Sequence, residues 1–234
     1  MDYQVIDYAR VLSRRLIIAV GDAVSEEYRS KYADEQIARA HALGNVASLL
    51  REGANPSTCL DTFLPQHDES DDEDGESFDV EPEESTNAII IASANGDVEC
   101  LAMLLSSPLA NVAVVDSDGD TALTAASSCG QSSCISALLA AGADVNFPGN
   151  EGINSLMLAI ACGSYESCLI LAPLTDLSAK TVQNKSALDI AREKRGDIGA
   201  QIQDLLMAIQ EAEALRNHCP AAEQAPPSCR PRSL

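Results

Sequence analysis

Large aromatic side chains are scarce in this 234-residue sequence. Tryptophan is absent, and Phe, Tyr and Trp together make up 3% of the residues. Cores of β-sandwiches depend on β-branched and aromatic residues, so this scarcity argues against that class of fold. Apolar residues nevertheless make up 46% of the chain and are mostly Ala, Leu and Ile. Small and aliphatic side chains suit closely packed helices, and we therefore expect an all-α protein.

Long apolar runs and metal-site cysteine pairs are also missing. The run Leu16–Val20 follows two arginines and is far shorter than the roughly 20 residues of a membrane-spanning helix. No signal peptide is visible. The eight cysteines form no CxxC pair and have no histidine at metal-site spacing. We expect no membrane association and a reducing compartment, the cytoplasm or alternatively the nucleus.

Basic residues are nearly absent from the middle of the chain. Residues 68–84 contain eleven acids and no base, and residues 86–180 contain nine acids and one base, Lys180. The net charge is −21. A negative field repels phosphates, which argues against direct binding of nucleic acid or anionic membranes. It favours a basic protein partner, mainly through faster encounter.

The strongest pattern is an internal repeat of about 33 residues. Four positions of the stretch Asp118–Asn146 hold the same residue one period later. Three of them also hold the same or a similar residue one period earlier and two periods later. The recurring sets are Gly119 and Gly152; Ile89, Leu123, Leu156 and Leu188; Ala92, Ala126, Ala159 and Ala191; and Gly96, Gly130, Gly163 and Gly196. Such a period predicts an array of similar supersecondary units stacked on one another.

The stretch Asp118–Asn146 resembles the ankyrin consensus, in which T-P-L-H-x-A precedes a glycine and then V-x-x-L-L-x-x-G-A-D-V-N. The matching residues are Thr121, Ala122, Leu123, Thr124, Ala126, Gly130, Ile135, Leu138, Leu139, Gly142, Ala143, Asp144, Val145 and Asn146. No unit keeps the Pro or His of the first motif. A degenerate unit lies at Val46–Asn55, whose sequence VASLLREGAN repeats the second-helix ending. The resemblance implies a solenoid of about four to five helix-turn-helix units over roughly 34–60 and 86–210.

Helix-capping chemistry supports this fold independently. The residue at the Thr121 position is polar in every unit, and each such residue is a good helix N-cap: Asn87, Thr121, Asn154 and Ser186. The repeated glycines fall where the first short helix must end, and glycine adopts the left-handed conformation needed there at little cost.

The composition divides the chain into five predicted segments. Residues 1–33 form an N-terminal helical region, with a helix over about 4–20 that either caps the first repeat or binds a partner. Residues 34–60 form the degenerate unit, and 61–85 an acidic disordered insertion. Residues 86–216 form the repeat array, closed by a C-terminal capping helix that contains Ile202, Leu205, Leu206 and Ile209. Residues 217–234 form a proline-rich disordered tail.

Catalytic and metal-binding constellations are not apparent. His41, His67 and His218 lie outside the clear repeats. The acidic run 68–84 contains Gly75 but lacks the alternating oxygen ligands of a calcium loop. No glycine-rich phosphate loop follows a strand. We expect no catalytic residues, no cofactor and no metal, and hence no enzyme.

Five cysteines occupy repeat-equivalent positions. Cys100, Cys134 and Cys168 fall in second helices, where cysteine is commonly a small core residue. Cys129 and Cys162 precede the inter-helix glycines. A disulfide between Cys129 and Cys134 stays open from sequence alone, although a reducing compartment disfavours it.

Ser70 is a candidate phosphorylation site. It is followed by Asp71, Asp72 and Glu73, a pattern that resembles an acidophilic casein-kinase-2 site with an acid three residues on. Phosphate would add charge to a segment already extended by repulsion. The alternative is a solvated charge run that aids solubility.

The resemblance also implies where a partner would bind. Ankyrin units line a concave face with β-turn fingers and first helices, and the fingers map here near Asp116–Asp120, Gly149–Ile153 and Val182–Lys185. The implied partner-binding residues are Asp118, Asp120, Thr124, Ile153, Met157 and Lys185. The expected function is a monomeric, non-catalytic adaptor or scaffold. The alternative is a protein whose acidic loop binds or shields a basic protein such as a histone or ribosomal protein.

Overall fold

A computed structural model describes residues 11–21, 35–58 and 87–218 of the protein. Several sequence predictions therefore lie outside the described residues: the first part of the N-terminal helix, the disorder of the acidic insertion 61–85 and of the tail from 219 onward, and Ser70. The start of the predicted tail is described, and it is helical as far as His218.

The described residues form a series of α-helices joined by short turns. Residues 11–21 are helical and are called α1. The helices that follow are α2 (Glu35–Arg51), α3 (Ala88–Asn95), α4 (Val98–Leu105), α5 (Ala122–Ser128), α6 (Ser132–Ala140), α7 (Ser155–Cys162), α8 (Tyr165–Leu171), α9 (Ala187–Glu193) and α10 (Asp197–His218). Within the described residues, β-type backbone pairing is limited to two isolated bridges, one between Val115 and Thr121 and one between Lys180 and Ser186.

The helices stack in two rows. The first helices of successive units pack on one another, α3 on α5, α5 on α7 and α7 on α9. The second helices do the same, α2 on α4, α4 on α6, α6 on α8 and α8 on α10. The helices α3 to α9 have only 7 to 9 residues and cannot bury their apolar faces alone, so their stability depends on the neighbouring unit. This architecture confirms the predicted all-α ankyrin-type solenoid.

The predicted N-caps are all present. In each unit the cap side chain accepts a hydrogen bond from the backbone N–H three residues on, which satisfies one free donor of the first turn. The bonds run from Ile90 to Asn87 (3.0 Å), from Thr124 to Thr121 (3.3 Å), from Met157 to Asn154 (3.0 Å) and from Asp189 to Ser186 (3.3 Å).

Two inter-helix glycines show why that position excludes a side chain. Gly96 and Gly163 have φ of 76° and 87°, in the left-handed region. A Cβ on Gly96 would overlap the Gln131 amide oxygen, and one on Gly163 would lie 2.9 Å from the Lys194 Nζ. Both long side chains come from the next unit, where each donates to a carbonyl at the end of the preceding first helix. Glycine at this position therefore allows the left-handed turn and also leaves room for the long side chain from the next unit.

The ends of the stack are covered by helices. In α1, Leu12, Leu16 and Val20 are buried in the common core, and the Ser13 hydroxyl accepts a 3.0 Å hydrogen bond from the N–H of Asn55. This packing supports the capping interpretation of the N-terminal helix over a free partner-binding helix. At the other end, Ile202 and Leu206 of α10 are buried, as the sequence predicted.

The degenerate unit differs from a regular one. Residues 35–58 contain a single continuous helix, α2, and its last turns lie in the second-helix row. Its ending copies that of α6, because the N–H of Ala54 donates to Leu49 as the N–H of Ala143 donates to Leu138, both at 3.0 Å. The sequence similarity of Val46–Asn55 to a second-helix ending therefore reflects a shared structure. A helix-turn-helix does not form within residues 35–58.

Candidate functional site

The connection between α4 and α5 forms a tightly held turn, finger 1, which runs from Val115 to Thr121. Those two residues form an isolated antiparallel bridge. The N–H of Asp116 donates to the carbonyl of Asp120 at 3.0 Å. The Asp116 carboxylate accepts the N–H groups of Asp118 (3.1 Å) and Asp120 (2.8 Å). Asp116 is therefore the residue that holds the turn.

The other two carboxylates of finger 1 take no part in holding the turn. Asp118 is exposed and Asp120 is half-buried. Neither side chain has a hydrogen bond or ion pair to any part of the chain that the structure describes. Burial raises the pKa of Asp116, as do the charges of Asp120 and Asp118, while the two backbone N–H groups oppose the shift. The charges of Asp118 and Asp120 thus disfavour the ionised form of Asp116, and a nearby cation would offset that effect.

The turn between α8 and α9, finger 3, runs from Lys180 to Ser186 and repeats the design of finger 1. Its end residues form the second isolated bridge. The N–H of Thr181 donates to the carbonyl of Lys185 at 3.0 Å, and the Thr181 hydroxyl accepts the N–H of Lys185 at 3.3 Å. Asn184 has φ of 60°, a conformation that Asn tolerates better than most residues. Thr181 thus takes the role that Asp116 has in finger 1.

Lys185 lies on finger 3, as predicted, but its charge already has a partner. The Lys185 Nζ lies 2.8 Å from a carboxylate oxygen of Glu193, in the helix that follows. Both side chains are partly exposed, so the pair contributes little to stability. It does reduce the positive charge that Lys185 presents to a partner.

The turn between α6 and α7, finger 2, runs from Gly149 to Ile153 and is built differently. It contains a short 3-10 turn, Asn150–Gly152, and the bridges of fingers 1 and 3 have no counterpart in this described segment. Glu151 has φ of 57° and is exposed. Its carbonyl accepts a 2.8 Å hydrogen bond from the N–H of Val182, which ties finger 2 to finger 3.

The three described fingers are packed directly on one another, and together they are called the finger row. A Cβ on Gly119 would lie 3.8 Å from the Cβ of Asn150. A Cβ on Gly152 would lie 3.4 Å from the carbonyl oxygen of Lys180. Finger 3 is hydrogen-bonded to finger 2, and finger 1 lies close beside finger 2, so the row is a continuous and preorganised surface. It brings together four of the predicted partner-binding residues: Asp118, Asp120, Ile153 and Lys185.

Two predicted partner-binding residues do not lie on this surface. Thr124 is 0% exposed and Met157 is 1% exposed. The Thr124 hydroxyl donates to the carbonyl of Thr121 and accepts its N–H, which completes a capping box. Met157 lies in the core between units. The prediction that these two side chains contact a partner is therefore wrong, because the packing of adjacent first helices covers them.

The exposed part of the first-helix row lies one turn further along each helix. Ser128 and Ala161, which are four residues after Thr124 and Met157, are both exposed. The helical period could have separated these exposed positions from the buried ones, since a side chain at the third position of a stacked helix faces the adjacent unit.

The cysteines of the second helices are core residues. Cys100, Cys134 and Cys168 are fully buried and not disulfide-bonded. Burial, as the largest cause, raises the pKa of Cys134 to about 11 and that of Cys168 to about 12. These thiols stay protonated at neutral pH and are poor nucleophiles. Cys129 and Cys162 are exposed free thiols, so Cys129 and Cys134 are not joined by a disulfide.

The surface of the described residues has few concavities. Two shallow grooves of about 300 Å³ and 320 Å³ occur, the first beside α1 and α2 and the second beside α10. Neither is lined by a cysteine or a histidine. Within 11–21, 35–58 and 87–218, no three acids, cysteines or histidines are grouped to hold a metal ion. None of the described helices combines the length and apolar character needed to cross a bilayer.

Comparison with known families agrees with this geometry. A family model for ankyrin repeats matches three copies over residues 43–149 and 89–181, which together span more than half of the chain. The protein therefore belongs to the ankyrin repeat family. Ankyrin repeats generally mediate protein–protein interaction, and the family is typically non-catalytic. No curated protein matches the chain in sequence.

Proposed function

We propose that this protein is a non-catalytic adaptor or scaffold that binds a basic segment of another protein along its finger row. The observation that supports this function is the state of finger 1. Asp116 uses its carboxylate to hold the turn, while Asp118 and Asp120 keep theirs open in a fixed position. A partner that brings lysine or arginine gains paired charges and does not have to order this finger.

The surroundings of finger 1 reinforce its charge. Lys180 is the one base between residues 87 and 180, and nine acids lie in the same range. The charge of Lys185 is partly balanced by Glu193. A field of one sign accelerates encounter with a partner of the opposite sign, and this effect weakens as ionic strength rises.

The test is a double charge reversal, Asp118→Lys with Asp120→Lys. Partners are first identified by affinity purification and mass spectrometry, and the Kd of each purified partner is then measured. The matched control is Asp204→Lys with Glu211→Lys, which makes the same change in net charge on exposed positions of α10. We expect the finger variant to weaken binding by at least about tenfold, or 1.4 kcal/mol, and the control by much less. Equal Kd values for the finger variant and the control would contradict the proposed site.

The acidic insertion supports a second candidate function, the binding or shielding of a basic protein such as a histone or ribosomal protein. The described residues on either side of the insertion are anchored. The Ser57 hydroxyl accepts the N–H of Asn111 at 2.6 Å, and Asn87 caps α3. In sequence, the connection from α2 to α3 corresponds to the connections that form fingers between other units. It contains eleven further acids, at residues 68–84.

Deletion of residues 68–84 separates the two candidates. If the insertion is the main binding element, deletion abolishes binding and flattens its dependence on salt, because fewer charges then contribute. If the finger row is the main element, deletion slows association and leaves the effect of the Asp118 and Asp120 reversal intact.

The proposal includes a reducing intracellular location and a monomeric state. The free thiols of the described cysteines fit a reducing compartment. Light scattering after size exclusion tests the monomer, and microscopy of the tagged full-length chain tests the location.

A further inference from the structure

The charges of the three fingers change sign along the finger row. Finger 1 carries three acids and no base, and finger 2 carries one acid, Glu151. Finger 3 carries two bases, Lys180 and Lys185, and no acid. The same change appears in the surrounding chain, because residues 87–179 contain nine acids and no base, whereas residues 180–195 contain five bases and two acids. The finger row is therefore anionic at one end and cationic at the other.

The positive charge of finger 3 is not cancelled by the two acids in residues 180–195. Glu193 pairs with Lys185 at 2.8 Å. Asp189 accepts a 2.7 Å hydrogen bond from the hydroxyl of Ser186, the residue that caps its helix. Lys180 is exposed, and its side chain has no hydrogen bond or ion pair with any part of the chain that the structure describes. Finger 3 therefore presents at least one positive charge, that of Lys180, without an internal partner.

The change of sign takes place between two fingers whose backbones are joined. The carbonyl of Glu151 accepts a 2.8 Å hydrogen bond from the N–H of Val182. A Cβ on Gly152 would lie 3.4 Å from the carbonyl oxygen of Lys180. Val182 itself is 80% exposed and uncharged, so it leaves the sign of finger 3 unchanged. The opposite charges are thus held in a fixed order on one surface, and a partner does not have to impose that order.

We infer that the finger row binds a charge-segregated segment, whose basic part lies over fingers 1 and 2 and whose acidic part lies over finger 3. This inference rests on the proposed function, because it specifies the partner for the same surface. A uniformly basic segment would match Asp118 and Asp120 but would place like charges against Lys180, and such a juxtaposition disfavours binding. The finger row then recognises the order of the charges in its partner and not only their sum.

A second copy of this chain is the other partner that would offer both signs of charge. Two finger rows in antiparallel orientation would place acids against bases. However, each row carries four acids and two bases, so acids would remain unmatched. The net charge of −21 on each copy also opposes their approach. A separate segment with balanced charges has neither disadvantage, and it therefore fits the row better than a second copy does.

The test uses synthetic peptides of Gly and Ser that also contain lysines and glutamates in equal number. In the segregated peptide all the lysines precede all the glutamates, and a second version has the reverse order because the finger row does not fix the chain direction. In the alternating peptide the two residue types alternate. A lysine-only peptide has glutamine in place of each glutamate. Fluorescence polarisation with the full-length protein gives each Kd at low and at physiological salt.

The decisive variant is Lys180→Glu, which changes an exposed side chain at a position where the bridge of finger 3 is made by the backbone. At low salt we expect this variant to weaken the better segregated peptide about fivefold, because an attraction becomes a repulsion. The same variant should strengthen binding of the lysine-only peptide, because a repulsion becomes an attraction. The matched control is Arg216→Glu, which makes the same change in net charge at an exposed position of α10. The control should change both Kd values much less.

The possible failures are distinguishable. The inference is wrong if the segregated and alternating peptides bind equally, or if Lys180→Glu leaves both Kd values unchanged or shifts them in the same direction. It is also wrong if light scattering shows a dimer that Lys180→Glu dissociates, because a second copy then occupies the row. The proposed function still stands after a failure with the peptides, provided that reversal of Asp118 and Asp120 weakens binding of the lysine-only peptide. If that reversal also leaves every Kd unchanged, the inference and the proposed function both fail.

Discussion

Fingers 1 and 2 occupy equivalent positions in adjacent units and are built in different ways. Finger 1 is closed by a bridge and leads into Thr121, whose hydroxyl shares a capping box with Thr124. Finger 2 contains a 3-10 turn and leads into Asn154. The Asn154 side chain caps α7 but is not part of a capping box. Finger 3 follows the first pattern, since it has a bridge and a capping box at Ser186 and Asp189.

This difference shows that one repeat position tolerates two local solutions. A hydroxyl cap can pair with a polar side chain three residues on, whereas the Asn154 unit has Met157 there and forms no such pair. The packing of the helices is the same in both cases. The core therefore sets the position of each unit, and the cap sets how firmly its finger is closed.

The largest loss of stability is expected from replacing a buried leucine that occupies the same position in both units. Leu123 and Leu156 are equivalent, and both are fully buried. Replacement of either by alanine should destabilise the protein by about 2–5 kcal/mol, because the rigid neighbours leave a cavity. Urea unfolding measures this loss. The control is Leu169→Ala, at a half-exposed position of α8. A markedly smaller loss for Leu156 than for Leu123 would mean that the units are not equally packed.

Removal of the helix caps should destabilise the two units by different amounts. Thr121→Ala removes a cap and one side of a capping box next to the finger 1 bridge, whereas Asn154→Ala removes a cap alone. We expect losses of about 2 kcal/mol and about 1 kcal/mol respectively. Amide hydrogen exchange should show faster exchange at Asp116 in the first variant. Equal losses in both variants would show that the capping box adds nothing measurable.

A smaller effect, a gain in stability, is expected when Ser155 is replaced. Its hydroxyl is buried and has no hydrogen-bond partner in the described structure, and the equivalent residues in the other units are Ala88, Ala122 and Ala187. Ser155→Ala should stabilise the protein by about 1 kcal/mol, because an unpaired polar group no longer has to be buried. A rise in Tm checks this expectation. The matched change Ser127→Ala removes a hydroxyl that does bond, to Leu123, and should not stabilise.

The smallest effects concern two aspartates with opposite pKa shifts. Burial raises the pKa of Asp116, so its contribution to stability is present at low pH and is lost as pH rises through its folded pKa. A hydrogen bond from the Ser186 hydroxyl lowers the pKa of Asp189, so its contribution is present above the ordinary aspartate pKa and is lost as pH falls.

Asn variants of Asp116 and Asp189 should therefore change the pH dependence of stability in opposite directions near the ordinary aspartate pKa of 3.8. Urea midpoints measured across that range give the two slopes. Changes of the same sign in both variants would contradict the opposite directions of these two pKa shifts.

Much of the fold followed from the sequence. The period, the caps from Asn87 to Ser186 and the inter-helix glycines are local signals, because each depends on a few bonds within one turn. The helix at 35–51 was less predictable. Its ending is encoded locally at Gly53, whereas its continuity depends on packing against α4.

The candidate site was predicted only in part. Sequence determined the fingers and their acids, because turn residues and charge can be read directly from a repeat. The predicted partner-binding set contained Asp118 and Asp120 and left out Asp116, whose carboxylate holds the turn in the structure. It also placed Thr124 and Met157 on the surface, although adjacent helices bury them.

The sequence by itself determined the class of fold, the register of the units and the sign of the charge, since these properties belong to each unit separately. Tertiary structure alone decided which side chains of a unit remain accessible. The physical reason is that each unit buries its first helix against the next unit, and no single repeat contains the information on that contact. The exposure of Val182 beside the acids of fingers 1 and 2 is likewise a property of the stack.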